Sequence, residues 1–192
     1  MLKFLSMLAL LASLAVAPAA HADDQQPPAD GAAQIEDYAG YEPQTTCHPK
    51  PRAGTKVLAA WLRSQFGGGG GATGRACGGG ASEHKDGRAI DWTLDATKKA
   101  DRQIAKAFLK TVFATDDQGN THALARRMGI MYIIWNDHMY SAWDQFEREA
   151  YLSSSCKSIK KCSKTLRHRD HVHISLSMKG AKGKTSWYDG RL

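Results

Sequence analysis

The sequence predicts an α+β fold: a small, mainly antiparallel sheet packed on helices. Two observations carry this. Apolar residues at helical spacing dominate the first half of the domain, and short apolar strands parted by turn residues dominate the second. Neither an internal repeat nor a second core is visible, so one domain is expected.

The elements follow in chain order. Lys3, the apolar run Phe4 to Val16 and the small-x-small site Ala20-His21-Ala22 predict a secretory signal peptide over residues 1–22. That run is too short to span a bilayer, which takes about 20 apolar residues. Residues 23–45 are rich in Asp, Gln, Pro and Ala, with few large apolar groups to bury, and are expected to form a disordered linker. The domain is then residues 46–192, long enough to bury a core.

Val57, Leu58, Trp61, Leu62 and Phe66 predict a helix over Thr55 to Phe66. Gly67 to Gly71 end it as a flexible loop, and no Lys-Ser or Lys-Thr follows to make a phosphate cradle. Arg88 to Thr93 is a short strand. Ile104, Phe108 and Val112 step by four along a helix from Asp95 to Phe113, with Asp95 or Thr97 as its cap. A shorter helix, Thr121 to Met128, stops at Gly129. Ile130 to Trp135 and Met139 to Trp143 are strands around a hairpin turn at Asn136-Asp137-His138. His171 to Ser177 is the last strand.

Four cysteines in an exported chain predict two disulfides. Cys156 and Cys162 flank a short Lys- and Ser-rich loop and are paired first, leaving Cys47 with Cys77. Closing the small loop is worth about 2–3 kcal/mol in the chain-entropy picture. Cysteine-ligated zinc is disfavoured, because no CxxC pair exists. The net charge of +7 fits an anionic surface such as cell-wall polymer, membrane or nucleic acid, and does not choose among them.

The chemistry concentrates in Ser82-Glu83-His84-Lys85-Asp86-Gly87-Arg88-Ala89-Ile90-Asp91-Trp92 and Asp170-His171-Val172-His173. On the last strand His171, His173 and Ser175 share one face, while Val172, Ile174 and Leu176 share the other. Ala89, Asp91 and Thr93 likewise share a face of theirs, and Gly87 permits the turn that returns His84 toward Asp91. If the two strands are neighbours, His84, Asp91 and His173 converge. Two imidazoles and a carboxylate suit Zn²⁺ with one position left for water.

Ser-x-His-x-x-Gly-x-Ala-x-Asp, followed by Asp-x-x-His and His-x-His, resembles the zinc D-Ala-D-Ala carboxypeptidases of the VanY type. Their wider group includes peptidoglycan endopeptidases and the hedgehog signalling domain. The segments SEHKDGRAIDW, ARRMGIMYIIWN and DHVHISLS look closest to secreted actinobacterial members. The resemblance extends from Cys47 to the C-terminus and implies a hedgehog/D-Ala-D-Ala peptidase-like fold. It further implies His84, Asp91 and His173 as zinc ligands, Asp170 as general base, His171 as a catalytic assistant and Arg75 as the group that polarises the substrate carbonyl. Ser82 matches a position that orients the loop or a substrate group.

The function expected is therefore a secreted, cell-wall-associated zinc peptidase acting on peptidoglycan stem peptides, as carboxypeptidase or endopeptidase. Nucleic acid is not the expected partner, since nucleases of this kind more often use hard cations with several carboxylates or two metals. A metal-dependent nuclease and a non-catalytic wall-binding domain are the competing readings. Asp170 has the opposite strand parity from His171 and His173, so its role as base requires a bulge or turn at Arg169-Asp170.

Overall fold

The computed structural model describes residues 35–192. The expected signal peptide and the linker up to residue 34 lie outside that range. Among the described residues there are four α-helices: α1 (Ala53–Phe66), α2 (Lys99–Val112), α3 (Ala123–Arg127) and α4 (Met178–Ala181). Five strands form one sheet: β1 (Ala89–Trp92), β2 (Ile130–Trp135), β3 (His138–Ser141), β4 (Arg148–Ala150) and β5 (Val172–Leu176). Their order is β1-β5-β2-β3-β4 and every pairing is antiparallel. The fold is α+β. Among the described residues no helix is long and apolar enough to cross a membrane.

One sheet face makes the core. Trp92, Ile133 and Ile174 bury against Leu58 and Leu62 of α1 and Phe108 of α2, all nearly inaccessible to water. The opposite face carries polar groups, because strand side chains alternate. A register shift between Ile130 and Tyr132 is central to this division. The extra residue lets Ile130 stay with the core, while Met131 and Tyr132 join Ile134 in a second, smaller cluster.

The β2–β3 hairpin turns at Asn136 and Asp137, whose φ values are 48° and 67°. Consecutive left-handed residues match the right-handed twist of a two-residue hairpin, and Asn and Asp tolerate that region best among residues with a side chain. Arg167 then clamps Asp137 through two hydrogen bonds of 2.7 and 2.8 Å.

Four expectations are corrected. The domain begins before Thr46: residues 35–45, expected to be disordered, run along its surface. Tyr38 and Ala39 pack against the core, and polar contacts fix the rest. Arg126 donates to the Glu36 carbonyl, the Glu36 carboxylate accepts from Ser186, and the Glu42 carboxylate accepts from the Met178 N–H. Helix α2 starts four residues later than Asp95, because that carboxylate accepts from Thr97 and pairs with Lys164 instead of capping the helix. Strand β4 lies where none was expected.

The Gly67–Gly71 loop is the fourth: it packs against the free edge of β1. Gly69 and Thr93 exchange backbone hydrogen bonds, and Asp91 N–H donates to the Ala72 carbonyl. A Cβ on Gly71 would fall 1.4 Å from the Asp91 carbonyl oxygen. Only glycine allows that approach.

Both expected disulfides form, Cys47–Cys77 and Cys156–Cys162, with Cα separations of 5.9 and 5.3 Å. They suit an oxidising, extracytoplasmic environment.

Candidate metal centre

Strand β5 comes last in the chain but lies between β1 and β2, and this insertion builds the site. Asp91 on β1 is directly opposite His173 on β5, which is opposite Ile134 on β2. Directly paired residues of an antiparallel sheet project to the same face. His84 comes from a single turn of 3-10 helix, Glu83–Asp86, closed by Gly87 at φ 69°. A Cβ on Gly87 would meet the Lys50 carbonyl at 2.2 Å, so the tight reversal returning His84 to Asp91 depends on glycine.

Asp91 is the hub. Its Oδ1 lies 3.0 Å from His84 Nε2, 2.9 Å from His173 Nδ1 and 3.5 Å from His171 Nε2. One ligand atom each from His84, Asp91 and His173 falls within 4.8 Å of the others, a group that can hold a metal ion. The two separations from Asp91, 3.0 and 2.9 Å, lie near the separation of about 3.3 Å that metal–ligand bonds of about 2.0–2.1 Å set between neighbouring ligands of a tetrahedral ion. Burial opposes ionisation of Asp91, but hydrogen bonds from His173 and His84 outweigh it and hold the carboxyl well below its usual range. Burial also lowers the His173 pKa, which favours the neutral imidazole that a metal requires.

Ser175 completes the first row of support. Its Oγ lies 2.9 Å from His173 Nε2, the nitrogen turned away from Asp91. A proton held on Nε2 by that contact leaves the Nδ1 lone pair free for a cation. Ser175→Ala is expected to weaken metal binding about 10–100-fold without unfolding the protein. Competition with a chromogenic chelator measures this directly, and unchanged affinity would show that the Ser175 contact does not set the tautomer.

The remaining expected residues divide. His171 and Arg75 both line the cleft, which encloses about 210 Å³ above the triad. Arg75 is half exposed, with its guanidinium 3.9 Å from Asp91 Oδ2 and 3.4 Å from the Ser82 hydroxyl. Asp170 does not line the cleft. The irregular backbone it required is present, since β5 starts only at Val172. The carboxylate accepts from the Thr165 hydroxyl and lies 2.7 Å from His171 Nδ1. Burial opposes its ionisation, and the hydrogen bonds from Thr165 and His171 more than reverse that, so its pKa is lowered. Asp170 therefore orients His171, which presents Nε2 to the cleft.

His168 was missed, although His168-x-x-His171-x-His173 is visible in the chain. Its backbone is left-handed at φ 48°, and its ring packs 4.8 Å from that of His171 and edge-on to Tyr151 at 5.1 Å. Burial, reinforced by the charges of His173 and His171, pushes its pKa from 6.5 down to about 3. A folded pKa below the unfolded one means that the unfolded chain binds the extra proton. The metal-free protein is thus expected to lose stability as pH falls from 6.5 toward 3, and His168→Phe to flatten that slope. Urea melts across the range check it; parallel slopes would remove His168 from the acid response.

A larger depression of about 440 Å³ lies beside Glu36, Tyr38 and Arg126 and contains none of the metal-capable residues. Chemistry rather than volume selects the smaller cleft.

Fold and site together define an α+β domain with a metal-capable His–Asp–His centre at the floor of an open cleft. Sequence comparison matches residues 44–155 to the family described as VldE, C-terminal domain. That is more than half of the chain, and the chain belongs to this family. The matched span contains His84 and Asp91 and ends before Asp170 to His173. No curated protein and no solved structure matches the chain.

Proposed function

We propose that this chain is a secreted, cell-wall-associated zinc peptidase of the hedgehog/D-Ala-D-Ala peptidase-like fold, hydrolysing peptidoglycan stem peptides. The observation that carries the reading is the convergence of His84, Asp91 and His173 beneath a cleft into which His171 also faces. The resemblance of SEHKDGRAIDW and DHVHISLS to the VanY-type carboxypeptidases supports the substrate class. The two disulfides support export.

Two neutral imidazoles and one carboxylate would leave Zn²⁺ a formal charge of +1. The ion, when bound, supplies Lewis acidity that polarises water and the scissile carbonyl. The chain supplies the rest. His171, with Nδ1 held by Asp170, takes a proton on Nε2 from the attacking water and returns it to the leaving amine. Arg75 at the rim donates hydrogen bonds to the carbonyl oxygen as negative charge develops there. A single carboxylate in the metal group speaks against nuclease chemistry with hard cations.

Mass spectrometry of purified cell-wall fragments incubated with the zinc-loaded protein tests this. Released D-Ala identifies a carboxypeptidase, and cut cross-links or shortened stems identify an endopeptidase. Unaltered fragments from every wall type tried would overturn the reading in favour of a binding domain. Asp170→Asn should keep zinc and lose most turnover, because it frees His171 to adopt the wrong tautomer.

A further inference from the structure

The sheet face that carries the metal group does not end at His173. The cross-strand row runs from Asp91 through His173 to Ile134 on β2 and Met139 on β3. Beyond His173 it floors a second cleft of about 510 Å³, walled by Tyr41, Tyr132 and Trp143. Tyr151 borders both clefts. Tyr132 ties them as well, stacking on the His173 ring at 5.5 Å and 21°.

The walls are unusual for a surface. Trp143 and Tyr41 are 45% and 58% exposed and meet edge-to-face at 5.7 Å. Trp143 also stands edge-on to Tyr132 at 6.1 Å. Exposed aromatic rings gathered around a concavity mark a binding site more often than a solvated surface. Glu83 lines the same cleft although it is only 8% exposed. Its Oε2 accepts from the Tyr132 hydroxyl at 3.0 Å, which sets a carboxylate acceptor among the aromatic walls. A carboxylate has about four acceptor sites, so this one can take further donors from a ligand in the cleft.

We propose that this aromatic cleft binds a pyranose ring of the glycan strand, placing sugar and stem peptide of one wall fragment across a single sheet face. The proposal rests on the wall-peptide reading above. A pyranose has apolar C–H faces for Trp143 and Tyr41 and hydroxyl or amide N–H donors for Glu83. Purely apolar ligands would offer Glu83 no donor, and anionic ones would bring a second acceptor against its carboxylate. An ammonium group alone is too small for the space. Tyr151 then acts as the divider that registers the sugar against the cleft holding His171.

Chitotetraose, an uncharged oligosaccharide of N-acetylglucosamine without peptide, is the probe. Titration into the full chain, followed by tryptophan fluorescence and backbone amide NMR, should show saturable binding with shifts at Tyr41, Glu83, Tyr132 and Trp143. Trp143→Ala and, independently, Tyr41→Ala should each weaken binding about tenfold. Trp143→Phe should retain most of it, and zinc content should stay unchanged in all three. No saturable response at tens of millimolar, or one indifferent to both alanine variants, overturns the proposal. So does a lysine-containing peptide without sugar that shifts the same four residues while chitotetraose does not. Saccharide binding without wall cleavage would sink the peptidase reading and leave this site standing; cleavage without saccharide binding would do the reverse.

Discussion

Asp91→Ala is expected to give a folded protein that has lost its divalent ion. The carboxylate is the one group that three of the four cleft imidazoles, those of His173, His84 and His171, approach, at 2.9, 3.0 and 3.5 Å. Without it two neutral nitrogens remain, and the full charge of a divalent ion would rest on them. Removing a supporting hydrogen bond at such sites weakens binding about 10–100-fold, and removing a ligand should exceed that. Asp91 belongs to the polar sheet face and contributes nothing to the helix-packed core, so global structure should survive. Metal analysis and circular dichroism on the same sample separate the two effects. Asp91→Asn keeps the shape and deletes the charge; it should fall between wild type and alanine in affinity.

A pH signature accompanies the loss. The folded Asp91 pKa lies below its ordinary value of 3.8, so the ionised group contributes stability above that value, lost as pH falls through the folded pKa. Metal-free Asp91→Ala should therefore be less stable than the metal-free wild type at neutral pH and lose less on acidification. Zinc bound by the alanine variant at wild-type stoichiometry and affinity would dissolve the proposed centre.

What the sequence disclosed of this site follows from where local periodicity suffices. The parity of His171, His173 and Ser175 against Val172, Ile174 and Leu176 is a property of any regular strand, and β5 keeps it from Val172 onward. That β1 and β5 are neighbours was only a condition in the sequence, because pairing over eighty residues leaves no local trace; the sheet order supplies it. The surroundings of Asp170 were not legible for a related reason. Its carboxylate direction depends on a turn whose far contact is the Thr165 hydroxyl, which no period reports. Strand β4, Arg-Glu-Ala, is exposed throughout and thus has no apolar alternation to read. Residues 35–45 carried too few apolar groups to predict order, yet Glu36, Tyr38 and Glu42 dock through hydrogen bonds that composition cannot anticipate.

Arg88 is the residue whose importance is least visible in the chain and largest in the structure. It precedes β1 and is completely buried, as is its partner Asp86. The guanidinium Nε lies 3.3 Å from Asp86 Oδ2, one terminal nitrogen donates to the Leu176 carbonyl at 2.9 Å, and the other donates to the Glu42 carbonyl. One side chain thus ties the end of β5, the residue 35–45 segment and the turn that presents His84. Arg88→Met removes the charge but keeps much of the volume. Asp86 is then a buried carboxylate held only by the Thr46 N–H and hydroxyl. Breaking such a pair from one side costs about 3–5 kcal/mol, which for a domain of this size lowers Tm by about 10 °C. The pair adds an acid signature too. Burial opposes Asp86 ionisation, but bonds from Thr46 and Arg88 reverse this and lower its pKa below 3.8, so stability falls as pH drops through the folded pKa. The double variant Asp86→Leu/Arg88→Met should recover much of the loss, because an apolar pair needs no charge compensation. Calorimetry on the three variants decides the matter. A single variant melting within about 2 °C of wild type would show that the pair contributes little. A double variant no better than the single would assign the cost instead to the lost carbonyl contacts at Leu176 and Glu42.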